Sequence, residues 1–425
     1  MNIILKNISK IIIISLGLFL FVNCATNTHT PTKKHKNLSY LYNDSEVFLH
    51  PEFQIYNFHK DSSKVFFKVP VKDLLIKDLG SSYDKYGLIE VHYRVYESLS
   101  VSSLIDSATF TQRIYIKRDH QQFSFNIKTP NLRKSYLKIQ ITDVFSERKR
   151  HDYLYINKGE GINRQSFLIT NNPNKEIVFG NTLLLNTNYH IQSLLLNKHN
   201  LFVQEQALIK SIPNIPSSYS RTKTASLKTD TSYICKSNNI RAKESKILFL
   251  NCDTSKVKGL ALYVNDSTEN NLRTPSQLLK PISYLLNYKE YEILLADTNL
   301  KYSLDRFWLK IGENPRHASE MIKVYYNRVS VANKYFSSYK EGWMTDRGMI
   351  YIIYGEPATI YKSETLERWI YGSLDSEESL SFDFNLIKST LSENNFELIR
   401  KEEYKKSWFQ AIDAWRNGRI YSIAK

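Results

Sequence analysis

Cysteine is scarce in this chain of 425 residues: three, Cys24, Cys235 and Cys252, with no Cys-x-x-Cys spacing. That leaves a redox pair or a zinc ribbon without support. Glycine is also sparse, 13 in all, and neither a P-loop nor a dinucleotide fingerprint occurs. No metal-ligand motif is present either. Acidic residues are outnumbered, 42 Asp and Glu against 58 Lys and Arg, a net charge of +16. A basic surface suits nucleic acid, anionic lipid or another acidic polymer. Here the basic residues are spread out, apart from Lys33–Lys36 and Arg148–Arg150, and read as a solvated surface. After Val22 no apolar stretch is long enough to span a bilayer.

The beginning of the chain is richer. Lys6 and Lys10 precede an uncharged run from Ile11 to Val22, and Cys24 follows at once. A basic region, an apolar stretch of this length and a small step to Cys read as a secretory signal, too short for a transmembrane helix. An exported chain disfavours nucleic acid as a partner. The stretch "FVNC" resembles a bacterial lipoprotein signal. The resemblance implies that residues 1–23 are removed and that Cys24 carries the lipid. Residues 24–44 are polar, so a flexible tether is expected. Its first 13 residues extend on the order of 40 Å. No acidic residue follows Cys24 closely. The expected location is the inner leaflet of a Gram-negative outer membrane, facing the periplasm, with the lipid bilayer as a partner through Cys24.

The body of the chain starts as β-structure. Ile89, Val91, Tyr93 and Val95 alternate with polar residues, as do Leu137, Ile139, Ile141 and Phe123, Phe125, Ile127. Period-two alternation over short segments predicts an immunoglobulin-like β-sandwich over residues 45–160, without the Cys–Trp–Cys of true immunoglobulin domains. A second sandwich is expected over 161–300, with "KILFLNC", "LALYV" and "EYEILLA" among its strands. Cys235 and Cys252 flank an expected hairpin there, and are either a disulfide or two buried thiols. From 301 the period becomes helical. One helix is expected from Ser303 as N-cap to Gly312. A second starts at Asn314 and Pro315, with a stripe of Met321, Tyr325, Val329, Ala332 and Phe336. Short strand-like segments, beginning with "MIYIIY", then give an antiparallel meander, and Tyr404, Trp408, Ile412 and Trp415 mark a closing helix.

At the centre of this segment stands "EGWMTDRGMIYIIYGEP", residues 341–357. Each position has a structural reading. Gly342 can take φ > 0 after the helix. Trp343 buries area at the corner and needs a partner for its N–H. Thr345 and Asp346 can hold nearby backbone N–H groups. Arg347 can pair with Asp346, Glu341 or Glu367. Gly348 eases the chain into a strand, and Gly355, Glu356 and Pro357 turn it out. The rival reading makes Asp346 a general base and Arg347 an anion clamp. It lacks a nearby His, a nucleophile elbow or a second carboxylate at a defined spacing, and His317 stands alone on the preceding helix.

These residues carry a resemblance. Gly342, Trp343, Thr345, Asp346, Arg347 and Gly348, then Gly355 and Pro357, then Glu367, Trp369 and Tyr371 are similar to the signature of the GWxTD domain. That family implies an exported protein, often a lipoprotein with β-rich domains ahead of a C-terminal module, here 301–425. It implies no particular reaction. The Gly355-x-Pro357, Trp369-x-Tyr371 and Leu380-x-Phe382 spacing also resembles the small lipoprotein subunit of the outer-membrane β-barrel assembly machine, which has no enzymatic activity. The expectation is a mainly β chain with a C-terminal α+β domain. It acts as a non-enzymatic scaffold that binds an envelope protein, in a setting such as outer-membrane assembly or secretion, without metal or small-molecule cofactor. The alternatives are an envelope enzyme acting on glycan or peptidoglycan and a polysaccharide-binding lipoprotein.

Overall fold

The computed structural model describes residues 37–39, 42 and 49–423, apart from 79–84, 98–102, 117–119, 132–133, 160–161, 173–174, 198, 210, 219–228, 253–258, 266–273, 364, 374–378 and 390. The signal segment and Cys24 lie outside the described residues. Residues 37–425 form one compact unit. Among the described residues no helix is long and apolar enough to cross a membrane.

Seven strands make the first body: β1 (Glu52–His59), β2 (Ser62–Pro70), β3 (Tyr86–Tyr96), β4 (Leu104–Tyr115), β5 (His120–Lys128), β6 (Lys134–Asp143) and β7 (Lys149–Asn157). They form two antiparallel sheets, β1-β2-β5 and β4-β3-β6-β7. Alternation explains the packing. Val65, Phe67 and Val69 of β2 face Ile89, Val91 and Val95 of β3 and Leu137, Ile139 and Ile141 of β6 in one core. This is the expected sandwich architecture.

The second body is also two sheets. Its strands are β8 (Leu168–Asn172), β9 (Glu176–Ile177), β10 (Thr182–Leu184), β11 (Asn188–Gln192), β12 (Leu201–Ala207), β13 (Thr231–Cys235), β14 (Asn239–Arg241), β15 (Lys246–Asn251) and β16 (Leu260–Asn265). The sheet orders are β10-β16-β15-β12-β13 and β14-β11-β8-β9. The expected hairpin around the cysteines does not form, because β14 pairs with β11 in the other sheet. Cys235 lies opposite Leu201 on one side of β12, and Asn251, just before Cys252, lies opposite Phe202 on its other side. Two strand spacings, about 9.5 Å, separate the cysteines across β12. A disulfide needs Cα atoms within about 7 Å. Both are buried free thiols. The Cys235 thiol donates to the Asn239 carbonyl at 3.1 Å, and burial pushes the Cys252 thiol up to about 11. A thiol reagent is therefore expected to find neither in the folded protein and both after unfolding without reductant. Protection that persists in denaturant until a reductant is added would contradict this.

Among the described residues six α-helices and a fifth sheet follow: α1 (Pro275–Leu279), α2 (Tyr288–Ala296), α3 (Leu300–Gly312), α4 (Pro315–Phe336), α5 (Asp346–Tyr354), β17 (Thr359–Lys362), β18 (Leu366–Tyr371), β19 (Leu380–Leu386), β20 (Phe396–Leu398) and α6 (Tyr404–Arg416). Three expectations are corrected here. "EYEILLA" is helix α2, not a strand, started by a capping box in which Asn287 and Glu290 satisfy each other's backbone N–H. The N-cap of α3 is Asn299, whose side chain accepts from Tyr302 N–H; Ser303 lies one turn in and bonds Asp297. "MIYIIY" is the body of helix α5, buried on every side. The meander instead runs β17-β18-β19-β20, with β17 as its first strand. The helix stripe on α4 holds: Met321, Tyr325, Val329, Ala332 and Phe336 are all buried.

The start of the described chain is also corrected. Residues expected to continue the tether are built into the C-terminal core. The Tyr42 ring is buried at 5.0 Å from Phe336, 5.4 Å from Tyr335 and 5.9 Å from Trp369. Its carbonyl accepts from the Tyr351 hydroxyl at 3.0 Å. A large apolar ring gains about 2 kcal/mol from such burial, which explains why a polar segment is pinned by this residue.

Candidate functional site

The seventeen-residue stretch is a corner between α4 and α5. After α4 ends at Phe336, Gly342–Met344 form one 3-10 turn, and Thr345 caps α5 by accepting from Gly348 N–H at 3.0 Å. Thr345 also donates its hydroxyl to the Gly342 carbonyl at 2.7 Å. Gly342 does not need a left-handed backbone, contrary to expectation. It needs closeness: a Cβ there would stand 1.9 Å from the Ala332 carbonyl oxygen of α4. Gly348 repeats the device, since its Cβ would stand 1.9 Å from the Gly342 oxygen. It sits in the first turn of α5, not at the start of a strand. Gly355 is the position that takes φ +84°, where it ends α5.

Trp343 fills the corner. Its ring meets Tyr284 edge-on at 6.2 Å, and its indole N–H donates to Glu341 at 2.7 Å. Its backbone is held at both ends, N–H to Asn333 at 2.9 Å and carbonyl from the Tyr284 hydroxyl at 2.6 Å. Glu341 is thereby the partner of Trp343 and not of Arg347.

Asp346 and Arg347 do not face each other's charge; they point into two separate pairs. Asp346, 6% exposed, accepts Leu398 N–H at 2.8 Å and both terminal nitrogens of Arg400, at 2.6 and 3.2 Å. Arg400 also donates to the Asn214 carbonyl at 3.2 Å. The pair therefore ties helix α5 to strand β20 and to the second β-body. That seam is apolar as well. Ile247 and Phe249 of β15 and Ala261 of β16 pack with Tyr339 and Leu391, so β15 is buried on both faces. Lys340 reaches the Ser211 carbonyl and Lys401 N–H the Pro216 carbonyl across it, each at 3.3 Å.

Arg347, 1% exposed, bonds Glu367 at 3.0 Å and Asn394 twice, at 2.5 and 3.1 Å. Its guanidinium carbon lies over the Phe336 and Phe396 rings, 5.1 and 4.3 Å from their centroids. Glu367 is fully buried, so its second oxygen must also be satisfied; the Trp369 indole donates to it at 2.9 Å. The Tyr42 hydroxyl also helps to hold the carboxylate in its charged form. Burial alone would raise the Glu367 carboxyl, but Lys362 and Arg347, with the donors Trp369 and Tyr42, outweigh it and hold the group below its ordinary value. A depressed folded value makes the stabilisation complete above the ordinary Glu value, about 4.3, and loses it as pH falls through the folded value. An acid titration of the folded chain should show this limb, and Glu367→Gln should flatten it. An identical acid limb in that variant would contradict the assignment.

The remaining motif positions close the module. Tyr371 donates its hydroxyl to the Gly355 carbonyl at 2.9 Å, joining β18 to the end of α5. His317 bonds the Gly418 carbonyl at 2.7 Å and stands away from Asp346 and its partners. Sequence reasoning missed Arg400, Asn394 and Tyr42. The first two lie 54 and 47 residues from their motif partners, and no local spacing marks them. Among the described residues no group of three His, Cys, Asp or Glu is placed to hold a metal ion. Chemically, the motif's polar groups have their hydrogen-bonding directed at the fold.

Comparison with known proteins adds one positive result. No curated protein matches the chain. Among solved structures, a transglutaminase of red sea bream is similar at 9% identity over 52% of this chain and 32% of that one, TM-score 0.19. Domains D2 and D3 of the major pilin SpaD of Corynebacterium diphtheriae are similar at 7% identity over 48% and 81%, TM-score 0.13. The match thus spans about a third of the transglutaminase. The family model described as GWxTD domain matches residues 246–417. Its start falls on the first residue of β15, upstream of the boundary at 301 that periodicity suggests, where the strands that carry the seam begin. Residues 246–417, the C-terminal part of this chain, are a GWxTD domain.

Proposed function

We propose that this protein is a non-enzymatic, lipid-anchored scaffold of the cell envelope, held at the periplasmic face of an outer membrane through Cys24 and binding an envelope protein. The observation that carries this reading is the state of Asp346 and Arg347. Both are buried, and both have their charges occupied by Arg400, Leu398, Glu367 and Asn394. A general base must reach a substrate proton within about 3 Å, and a carboxylate enclosed in this way does not present itself to one. The basic run and apolar stretch before Cys24 support export and anchoring. In-cell crosslinking of the full chain followed by mass spectrometry tests the scaffold reading. Envelope proteins are the expected partners; recovery of glycan chains alone would overturn it. Feeding cells a lipid analogue tests the anchor, and an unmarked Cys24 would remove it.

A further inference from the structure

The described chain begins inside the GWxTD domain, not at the first β-body. Asn37 straddles the edge of β17: its side-chain amide donates to the Ala358 carbonyl at 3.1 Å and accepts from Ile360 N–H at 3.0 Å. Leu38 N–H donates to the Ile360 carbonyl at 2.9 Å. β17 is the free edge of its sheet, and an unpaired edge invites an added strand. Residues 37 and 38 supply one. Four residues on, Tyr42 inserts its ring among Tyr335, Phe336 and Trp369, and its carbonyl accepts from the Tyr351 hydroxyl. Tyr42 thereby packs on Phe336 and Trp369, the two rings that hold the buried pair the motif builds through Arg347. Strand β1 of the first β-body starts only at Glu52.

We infer that Asn37, Leu38 and Tyr42 act as a strap that hands any attachment at Cys24 to the GWxTD domain. A surface bound through Cys24 is thereby held next to this domain, with the two β-bodies further along the chain. Asn37 lies 13 positions after Cys24, a reach of at most about 45 Å when fully extended. The C-terminal domain, although last in the chain, is then the part strapped nearest the attachment point. This placement deepens the anchoring reading and rests on it for its meaning in the cell, but its geometry is testable without native lipidation.

The test couples the chain from Cys24 onward to vesicles that carry a maleimide lipid. The other two cysteines are buried, so the coupling is selective. The vesicles also contain a lipid with a photoactivatable diazirine headgroup, and adducts are mapped by mass spectrometry. Most adducts are expected in residues 275–423. In Tyr42→Ser and in Asn37→Ala with Leu38→Pro this bias should be lost, while circular dichroism keeps the folded signal. Adducts concentrated in residues 49–265, or a bias unchanged in both strap variants, would overturn the inference. Lipid on Cys24 in cells is read separately by intact mass. Its absence would defeat the anchor reading and leave the strap result standing.

Discussion

Replacing Arg347 by Met is expected to destabilise the GWxTD domain by about 3–5 kcal/mol, the usual consequence of leaving a buried charge without its partner. Glu367 is fully buried, and Arg347 is its nearest cation; Lys362 stands at 3.8 Å. Met would fill the slot between Phe336 and Phe396 but supply no donor to Glu367 or Asn394. Lys is not a substitute, because one ammonium cannot reproduce a planar fork held between two rings and bonded in two directions. Glu367→Gln should cost less, since a neutral amide still accepts from Trp369. The double variant should cost less than the sum, as coupled pairs do. The readout is selective. All five Trp of the chain, at 308, 343, 369, 408 and 415, lie in this domain, so denaturant unfolding followed by Trp fluorescence reports it alone. An Arg347→Met midpoint equal to that of the parent would contradict the buried-pair account.

Gly342→Ala is the second large effect. The added methyl would meet the Ala332 carbonyl oxygen at 1.9 Å and its carbon at 2.5 Å, both backbone atoms of α4. No side chain can rotate away, so α4 and the corner must separate. Overpacking that a core can absorb costs about 1–3 kcal/mol; here the cost should exceed that range, and the variant should accumulate as unfolded chain. Gly348→Ala should behave alike, because its methyl would strike the Gly342 oxygen at 1.9 Å. Gly180→Ala is the control: φ is +74° and nothing lies within 4 Å, so only left-handed strain of about 1–2 kcal/mol applies. Soluble expression and thermal unfolding followed by circular dichroism separate these outcomes. A Gly342→Ala protein as stable as Gly180→Ala would show that the corner is looser than its contacts indicate.

The sequence was legible where burial is one-sided. β3 and β6 alternate because one face of each meets the core, and α4 shows its stripe because its other face is wet. α5 is buried all round, so its apolar run has no period to read, and its β-branched residues mimic a strand. The signal that settles it is the cap: Thr345 three residues before Gly348. The capping box at Asn287 would likewise have identified α2. The cysteines misled because a local hairpin was assumed where the chain crosses between sheets. Within the motif, Glu367 was recoverable as a partner of Arg347. Arg400 and Asn394 were not, since pairing across 47 to 54 residues depends on the meander that brings β20 against α5. Tyr42 was hidden for a different reason: one aromatic in a polar segment has no pattern.

The central claim is that the motif's charged residues build the fold. The most direct measurement is the unfolding midpoint of Asp346→Asn beside that of Arg400→Met and of the two combined, followed by Trp fluorescence. Asn keeps an acceptor for Leu398 N–H but loses the charge that Arg400 meets. Each single variant should lose about 1.5–3 kcal/mol, the range for a hydrogen bond to a charged group, and the pair together little more than one alone. An Asp346→Asn protein with an unchanged midpoint, whatever else it had lost, would contradict the account.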